Sequence, residues 1–241
     1  MNLKLHIATF VFFLTSLVCE FASAGLIVDR AIIIFNDRND TKNDVVVIND
    51  SGVDKLFVNV EAFEVMNPGS PDEELVTIDR SSSPDFIASP TKLIVAPGSK
   101  SIVRLLNVAG RSNIERIYRV NFLPISAPLE LESDDEADSS VRPMVEVVIA
   151  YQVLAIVLPI DPTVVPVISR TGMEAVFKNE GTANYLLSSG QQCDPLDLSD
   201  CRELANRRIY AGNVWKLTLP FDGPFSYTIR SHEGNSVRVV N

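Results

Sequence analysis

Histidine, tryptophan and cysteine are scarce in this chain of 241 residues, which holds two, one and three of them respectively. His6 lies in the first ten residues, and His232 stands between Ser231 and Glu233 in a polar turn near the other end. With no serine or cysteine elbow beside a histidine, and no glycine-rich cradle for phosphate, triad hydrolysis and nucleotide chemistry have no residues to run on. The reading is of a non-enzyme that needs no cofactor. Basic charge is short too: the formal net charge of −10 excludes a general nucleic-acid footprint. No segment holds a helical period, and beyond the first 24 residues no apolar run reaches the ~20 residues of a membrane-crossing helix. Stable membrane insertion is therefore not expected.

The first 24 residues are the exception and have the form of an export signal. Lys4 and His6 precede the run IATFVFFLTSLVC, and Ala22-Ser23-Ala24 fits a small-x-small cleavage pattern, so the mature chain is expected to start at Gly25. Acylation at Cys19 is the rival, disfavoured because Val18 stands where such sites want a small residue. Once the leader is removed, Cys193 and Cys201 remain, and two cysteines in an exported chain most simply make one disulfide. They enclose DPLDLSD, with Asp194, Asp197 and Asp200 but no nearby histidine, which is half of a zinc site at most. No metal is expected there.

From residue 25 the pattern is one of short alternating strands broken by Pro and Gly turns. Residues 25–36 read as one strand, followed by 44–50, 56–66, a short strand at 75–78, two short units at 86–90 and 92–95, and longer strands at 101–108 and 114–124. Ala96-Pro97-Gly98-Ser99 is a turn with Pro and Gly in favoured places. Residues 126–142 are strongly acidic and weakly hydrophobic, as a mobile loop is. Their carboxylates lack the alternating ligands and turn glycine of a calcium loop. Residues 159–162 look like a stiff hinge, and 163–241 repeat the short-strand pattern. The fold class is all-β, with Ig-like β-sandwich domains at 25–158 and 163–241.

Residues 143–158 form the most telling stretch. Counted by twos, Val145, Val147, Ile149, Tyr151, Val153, Ala155 and Val157 make a face without a polar residue, whereas Glu146 and Gln152 interrupt the other. Period two and many β-branched residues predict one strand, far longer than the usual ~5–6 residues. A strand of this kind is either shared core or meant to pair with another chain.

The run SPTKLIVAPGSKSIVRLLNV, then IERIYRVNFLPI, a charged loop and a long apolar strand ending at Leu158-Pro159 resembles the periplasmic chaperones of the chaperone–usher pathway. LIVDRAIIIFND resembles that family's first strand, and FKNEGTANYLL the start of its second domain. The Cys193–Cys201 insertion and the strand bearing Tyr118 and Arg119 look more like the alternate class, of colonisation-factor or common-pilus type. The resemblance implies a boomerang of two Ig-like domains in the periplasm. Its partners would be pilin or fimbrial subunits and an outer-membrane usher. It also implies that Val145, Val147 and Ile149, with Tyr151 continuing the face, are lent to the open groove of an incomplete subunit, backbone bonds giving affinity and alternate side chains filling pockets. Val153 to Leu158 can at the same time be core of this chain. An unoccupied strand of this sort invites self-association of the free protein.

One departure stands out. The family's best-studied members anchor the subunit's C-terminal carboxylate with cations at positions matching Ile32 and Leu154, both apolar here. The candidates for the missing cation are Arg104, Arg119 and Arg30, because arginine's planar fork suits a carboxylate. The bland alternative is that Arg104 and Arg119 pair internally, for instance with Glu115, which matches a family acid of structural role. Two other functions stay open from the residues: a structural surface subunit, and a secreted two-domain adhesion module. The first should carry an N-terminal donor extension and the second an anchor.

Overall fold

The computed structural model describes residues 25–36, 42–79, 83–125 and 148–241. The leader, the acidic loop and Val145 and Val147 lie outside the described residues. The chain forms two sandwiches of antiparallel and mixed sheets, and among the described residues there is no helix.

The first sandwich comprises β1 (Leu26–Val28), β2 (Ile32–Phe35), β3 (Lys42–Asn49), β4 (Leu56–Met66), β5 (Glu74–Thr77), β6 (Phe86–Ser89), β7 (Lys92–Val95), β8 (Lys100–Asn107), β9 (Arg116–Ile125) and β10 (Tyr151–Val157). One sheet runs β1-β3-β8-β6 and the other β2-β10-β9-β4-β5, with β7 also on β4. The alternation read from the sequence is what closes the core. Val45 and Val47 of β3, Val103 and Leu105 of β8, Tyr118, Val120 and Phe122 of β9, and Val153, Ala155 and Val157 of β10 all point inward. The predicted turn is present: Ser99 N–H donates to Ala96 O at 3.1 Å, and Gly98 has φ 62°, a backbone that a residue with Cβ rarely adopts.

Two sequence expectations are corrected here. Residues 25–36 are not one strand: β1 pairs antiparallel with β3, whereas β2 pairs parallel with β10 in the opposite sheet. The reason is parity. The buried positions are Leu26 in β1 and Ile33 and Phe35 in β2, an even-to-odd switch that a single regular strand cannot make on one face. The crossing is fixed by Asp29, whose carboxylate accepts from Val46 N–H at 2.8 Å and from the Arg30 side chain. The second correction concerns the long strand, whose described strand portion begins only at Tyr151. Residues 148–150 are exposed and lie in no strand. Continuing the β9–β10 register from Tyr151 opposite Phe122 would set Ile149 against Pro124, which has no N–H to give, and β2 reaches only as far as Leu154.

The second sandwich comprises β11 (Pro166–Thr171), β12 (Glu174–Asn179), β13 (Tyr185–Cys193), β14 (Cys201–Leu204), β15 (Arg207–Ile209), β16 (Val214–Thr218), β17 (Phe225–Ser231) and β18 (Gly234–Val240). Its sheets run β11-β12-β16 and β14-β13-β17-β18, with β15 also on β13. Strands β14 and β15 were not legible, because CREL and RRI alternate charge rather than hydrophobicity. The expected disulfide joins Cys193 and Cys201, which stand directly opposite each other on β13 and β14. Phe177 centres the core, 5.1 Å from Trp215, 5.4 Å from Tyr227 and 5.9 Å from Phe225, ring to ring. A bulge between Ser188 and Gln191 brings Gly190 under Tyr227, so closely that a Cβ there would lie 2.2 Å from the ring.

The two domains are fastened to each other. Val65, Ile117, Ile156 and Leu158 of the first form a shared apolar cluster with Ala183 and Tyr210 of the second. The short linker is held as well: Arg111 donates to the carbonyls of Leu158 and Pro159, and Ile160 N–H donates to Ser112 O at 3.0 Å.

Candidate binding cleft

The outer face of the β2-β10-β9-β4-β5 sheet turns toward the second domain. Across it the register places Ile32, Leu154, Arg119 and Phe63 in one row. Ile32 and Ile34 are exposed on this face, whereas Ile156 is buried between the domains. The two positions that lack a cation are thus followed, one strand further along the same row, by Arg119. Sequence spacing cannot reveal this neighbour, because β9 ends at Ile125, β10 begins only at Tyr151, and it is the pairing register that sets Arg119 beside Leu154.

Arg119 lines a cavity of about 410 Å³ between the domains, together with Gly69, Ser70 and Glu73 from the β4–β5 turn and Arg207, Arg208 and Tyr210 from the second domain. Three arginines meet one glutamate there, in a chain that is otherwise strongly acidic. Arg119 donates from one terminal nitrogen to Glu73, whose second oxygen accepts from Gly69 N–H at 2.6 Å. Arg207 donates to Gly69 O at 2.9 Å, and Asn213 donates to Pro68 O, so two side chains of the second domain hold the turn. Gly69 is required at this spot: its φ is 73°, and a Cβ would lie 2.8 Å from the Tyr210 ring. Arg207, Arg208 and Glu73 escaped the sequence reading. The only signal was an arginine doublet followed by Ile209-Tyr210 in a chain poor in positive charge.

Behind the cavity, Glu115 bridges the domains. Its carboxylate accepts from Asn184 N–H and the Asn184 side-chain amide, and from Ala211 N–H at 2.9 Å. Burial pushes its carboxyl above the usual range, against the lowering pull of these donors and of Arg208. Arg208 in turn donates to Asn184 Oδ1, and burial lowers its proton affinity.

The other candidate cations lie elsewhere. Arg104 is on β8, in the opposite sheet, with both fork nitrogens on Asp44 at 2.8 and 3.0 Å. Arg30 is joined to Asp29 at the sheet crossing. None of the three arginines is paired with Glu115: Arg119 has Glu73, and Arg104 has Asp44. Ile149 is exposed and precedes β10, whereas Tyr151, its first residue, is half-buried against the core of its own domain. Val153, Ala155, Ile156, Val157 and Leu158 are fully buried, so that half of the strand belongs to this chain.

No family model and no curated protein matches this sequence. Solved structures match along almost its whole length. The class 5 fimbriae chaperone CfaA is 19% identical over 90% of this chain and 99% of its own, with a TM-score of 0.61. A chain of the pre-assembly complex between the chaperone CsuC and the tip adhesion subunit CsuE, from archaic Csu pili of Acinetobacter baumannii, is 13% identical over 89% and 97%, with a TM-score of 0.57. A chain of the Salmonella enterica SafA pilin–SafB chaperone complex is likewise 13% identical, over 89% and 95%, with a TM-score of 0.58. The chain therefore has the two-domain β-sandwich fold seen in these pilus chaperone structures.

Proposed function

We propose that this chain is a periplasmic chaperone of pilus or fimbrial subunits, exported by a leader cleaved after Ala24. It holds a subunit by lending it a strand and then passes it to an outer-membrane usher. The observation that carries this reading is the end-to-end match of both sandwiches to chaperone structures, two of them from complexes of a chaperone with a subunit. The work is binding and requires no chemistry. Residues 145–149 are the donated segment, with Val145, Val147 and Ile149 as the inserted side chains. Each one buried in a subunit groove contributes roughly 1.5–3 kcal/mol.

Arg119 is the anchor for the subunit's terminal carboxylate, assisted by Arg207 and Arg208. In support, it alone of the candidate cations stands in the row of Ile32 and Leu154 and lines the interdomain cavity. Arg104 and Arg30 are set aside for the anchor, because each is joined to an aspartate of this chain away from the cleft. The test is co-expression in a bacterial periplasm with the pilin encoded beside it, followed by purification through a tag on the chaperone. A stable one-to-one complex is expected. Recovery of the chaperone alone, with the pilin degraded, overturns the reading.

A further inference from the structure

The proposed anchor is already occupied by a carboxylate of this chain. Glu73 comes from the turn between β4 and β5, forty-six residues before Arg119, and reaches it with one oxygen only. Its other oxygen is held by Gly69 N–H. A guanidinium has five N–H donors and takes a carboxylate best through two of them side by side. The contact with Glu73 is single, so the paired geometry remains open to a second carboxylate. There is space for one, since the cavity of about 410 Å³ adjoins this contact. There is also charge for one, since Arg207 and Arg208 line the same cavity and Glu73 is the only acid among its lining residues.

We infer that Glu73 is a stand-in for the subunit's C-terminal carboxylate, keeping Arg119 paired in the empty chaperone and giving it up when a subunit arrives. This rests on Arg119 being the anchor. The physical logic is competition. A cation facing a partly desolvated cleft is costly to leave without a partner, and an internal carboxylate removes that cost in the free protein. The same carboxylate weakens the grip on the guest by the free energy of its own contact. Glu73 also belongs to the turn that Arg207, Asn213 and Tyr210 hold against the second domain. Its release therefore frees one side-chain contact of a turn that other contacts keep in place. The exchange moves a side chain and not a domain.

The probe is a peptide of alternating valine and threonine with fluorescein on its N-terminus, prepared once as the free acid and once as the C-terminal amide. Binding is measured by fluorescence anisotropy to the wild-type protein, to Glu73→Gln and to Arg119→Gln. Wild type should prefer the free acid, and Arg119→Gln should lose the preference. Glu73→Gln, whose amide oxygen still accepts from Gly69, should bind the free acid roughly fivefold tighter and the amide unchanged, the scale of one partly exposed ion pair. In the unmodified protein, the side-chain carboxyl carbon resonance of Glu73 should shift on addition of the free acid and not of the amide.

The failures are distinguishable. If wild type binds acid and amide alike and Arg119→Gln changes neither, the anchor is wrong and the exchange falls with it. If wild type prefers the acid through Arg119 but Glu73→Gln gains nothing, the anchor stands and the exchange is overturned. A Glu73 resonance that does not move with the free acid overturns the exchange in the same way, without any variant having to fold.

Discussion

The two sandwiches are made of similar short strands but commit them differently. In the second domain the strands close on a centred aromatic cluster, and a disulfide pins the β13–β14 hairpin. In the first domain the core is completed by only half of a long apolar stretch, and β2 and β10 present Ile32, Leu154 and the exposed Ile34 outward. The charge is divided the other way. Two of the three cleft arginines come from the second domain, while the row they face belongs to the first. One domain thus contributes the strand and the other most of the cationic wall. Neither contains the whole of the proposed site, and the buried Glu115–Asn184 contact is one of the bonds that hold the two together.

This division can be tested by changes that touch one domain at a time. The largest stability effect is expected from Phe177→Ala, which removes the ring at the centre of the second core and should cost about 3–5 kcal/mol in urea unfolding. Replacing Cys193 and Cys201 by serine should cost about 2–3 kcal/mol, from the short loop they close. Pilin capture by the folded protein should stay unchanged, since the hairpin is not in the cleft. Loss of capture without loss of fold would give the hairpin a role in binding.

Glu115→Ala strikes the junction itself. It leaves the donors of Asn184 and Ala211 without their acceptor and should cost about 1–3 kcal/mol. The sign of its pH dependence is fixed by the raised carboxyl. Because the folded pKa lies above the unfolded value of about 4.3, the contribution is fully present below that value and is lost as pH rises through the folded pKa. The stability gap between wild type and Glu115→Ala should therefore widen on acidification toward pH 4, and a gap that narrows would show that the interdomain hydrogen bonds need the ionised form. The smallest stability effect belongs to Arg119→Gln, within about 1 kcal/mol for a partly exposed pair. Its effect on pilin capture should be disproportionately large, and a variant that captures as well as wild type would remove Arg119 from the site.

Period-two hydrophobicity carried the fold from the sequence, and it served wherever one face of a strand is buried, as in β4, β8 and β9. It failed where burial changes face within a few residues, as between Val28 and Ile32, and where a strand is framed by charge, as in Arg207–Ile209. The cleft was less legible for a different reason. Arg119 was a candidate from its residue type and its apolar setting in a strand, IYRVNF, but its place beside Leu154 depends on a pairing register. Its cavity depends on Glu73, Arg207 and Tyr210, which are far away in sequence and are brought near only by the interdomain packing.

The central claim is that the upstream half of the apolar stretch 143–158 serves a guest while the downstream half, β10, serves the chain itself. The most direct measurement uses the double variant Val147→Asp/Ile149→Asp, checked for folding by circular dichroism and co-expressed with the pilin. The account predicts a protein folded as wild type is, with pilin recovery in the tagged complex abolished. A folded double variant that captures the pilin as well as wild type would contradict it and would return these residues to the chain's own core.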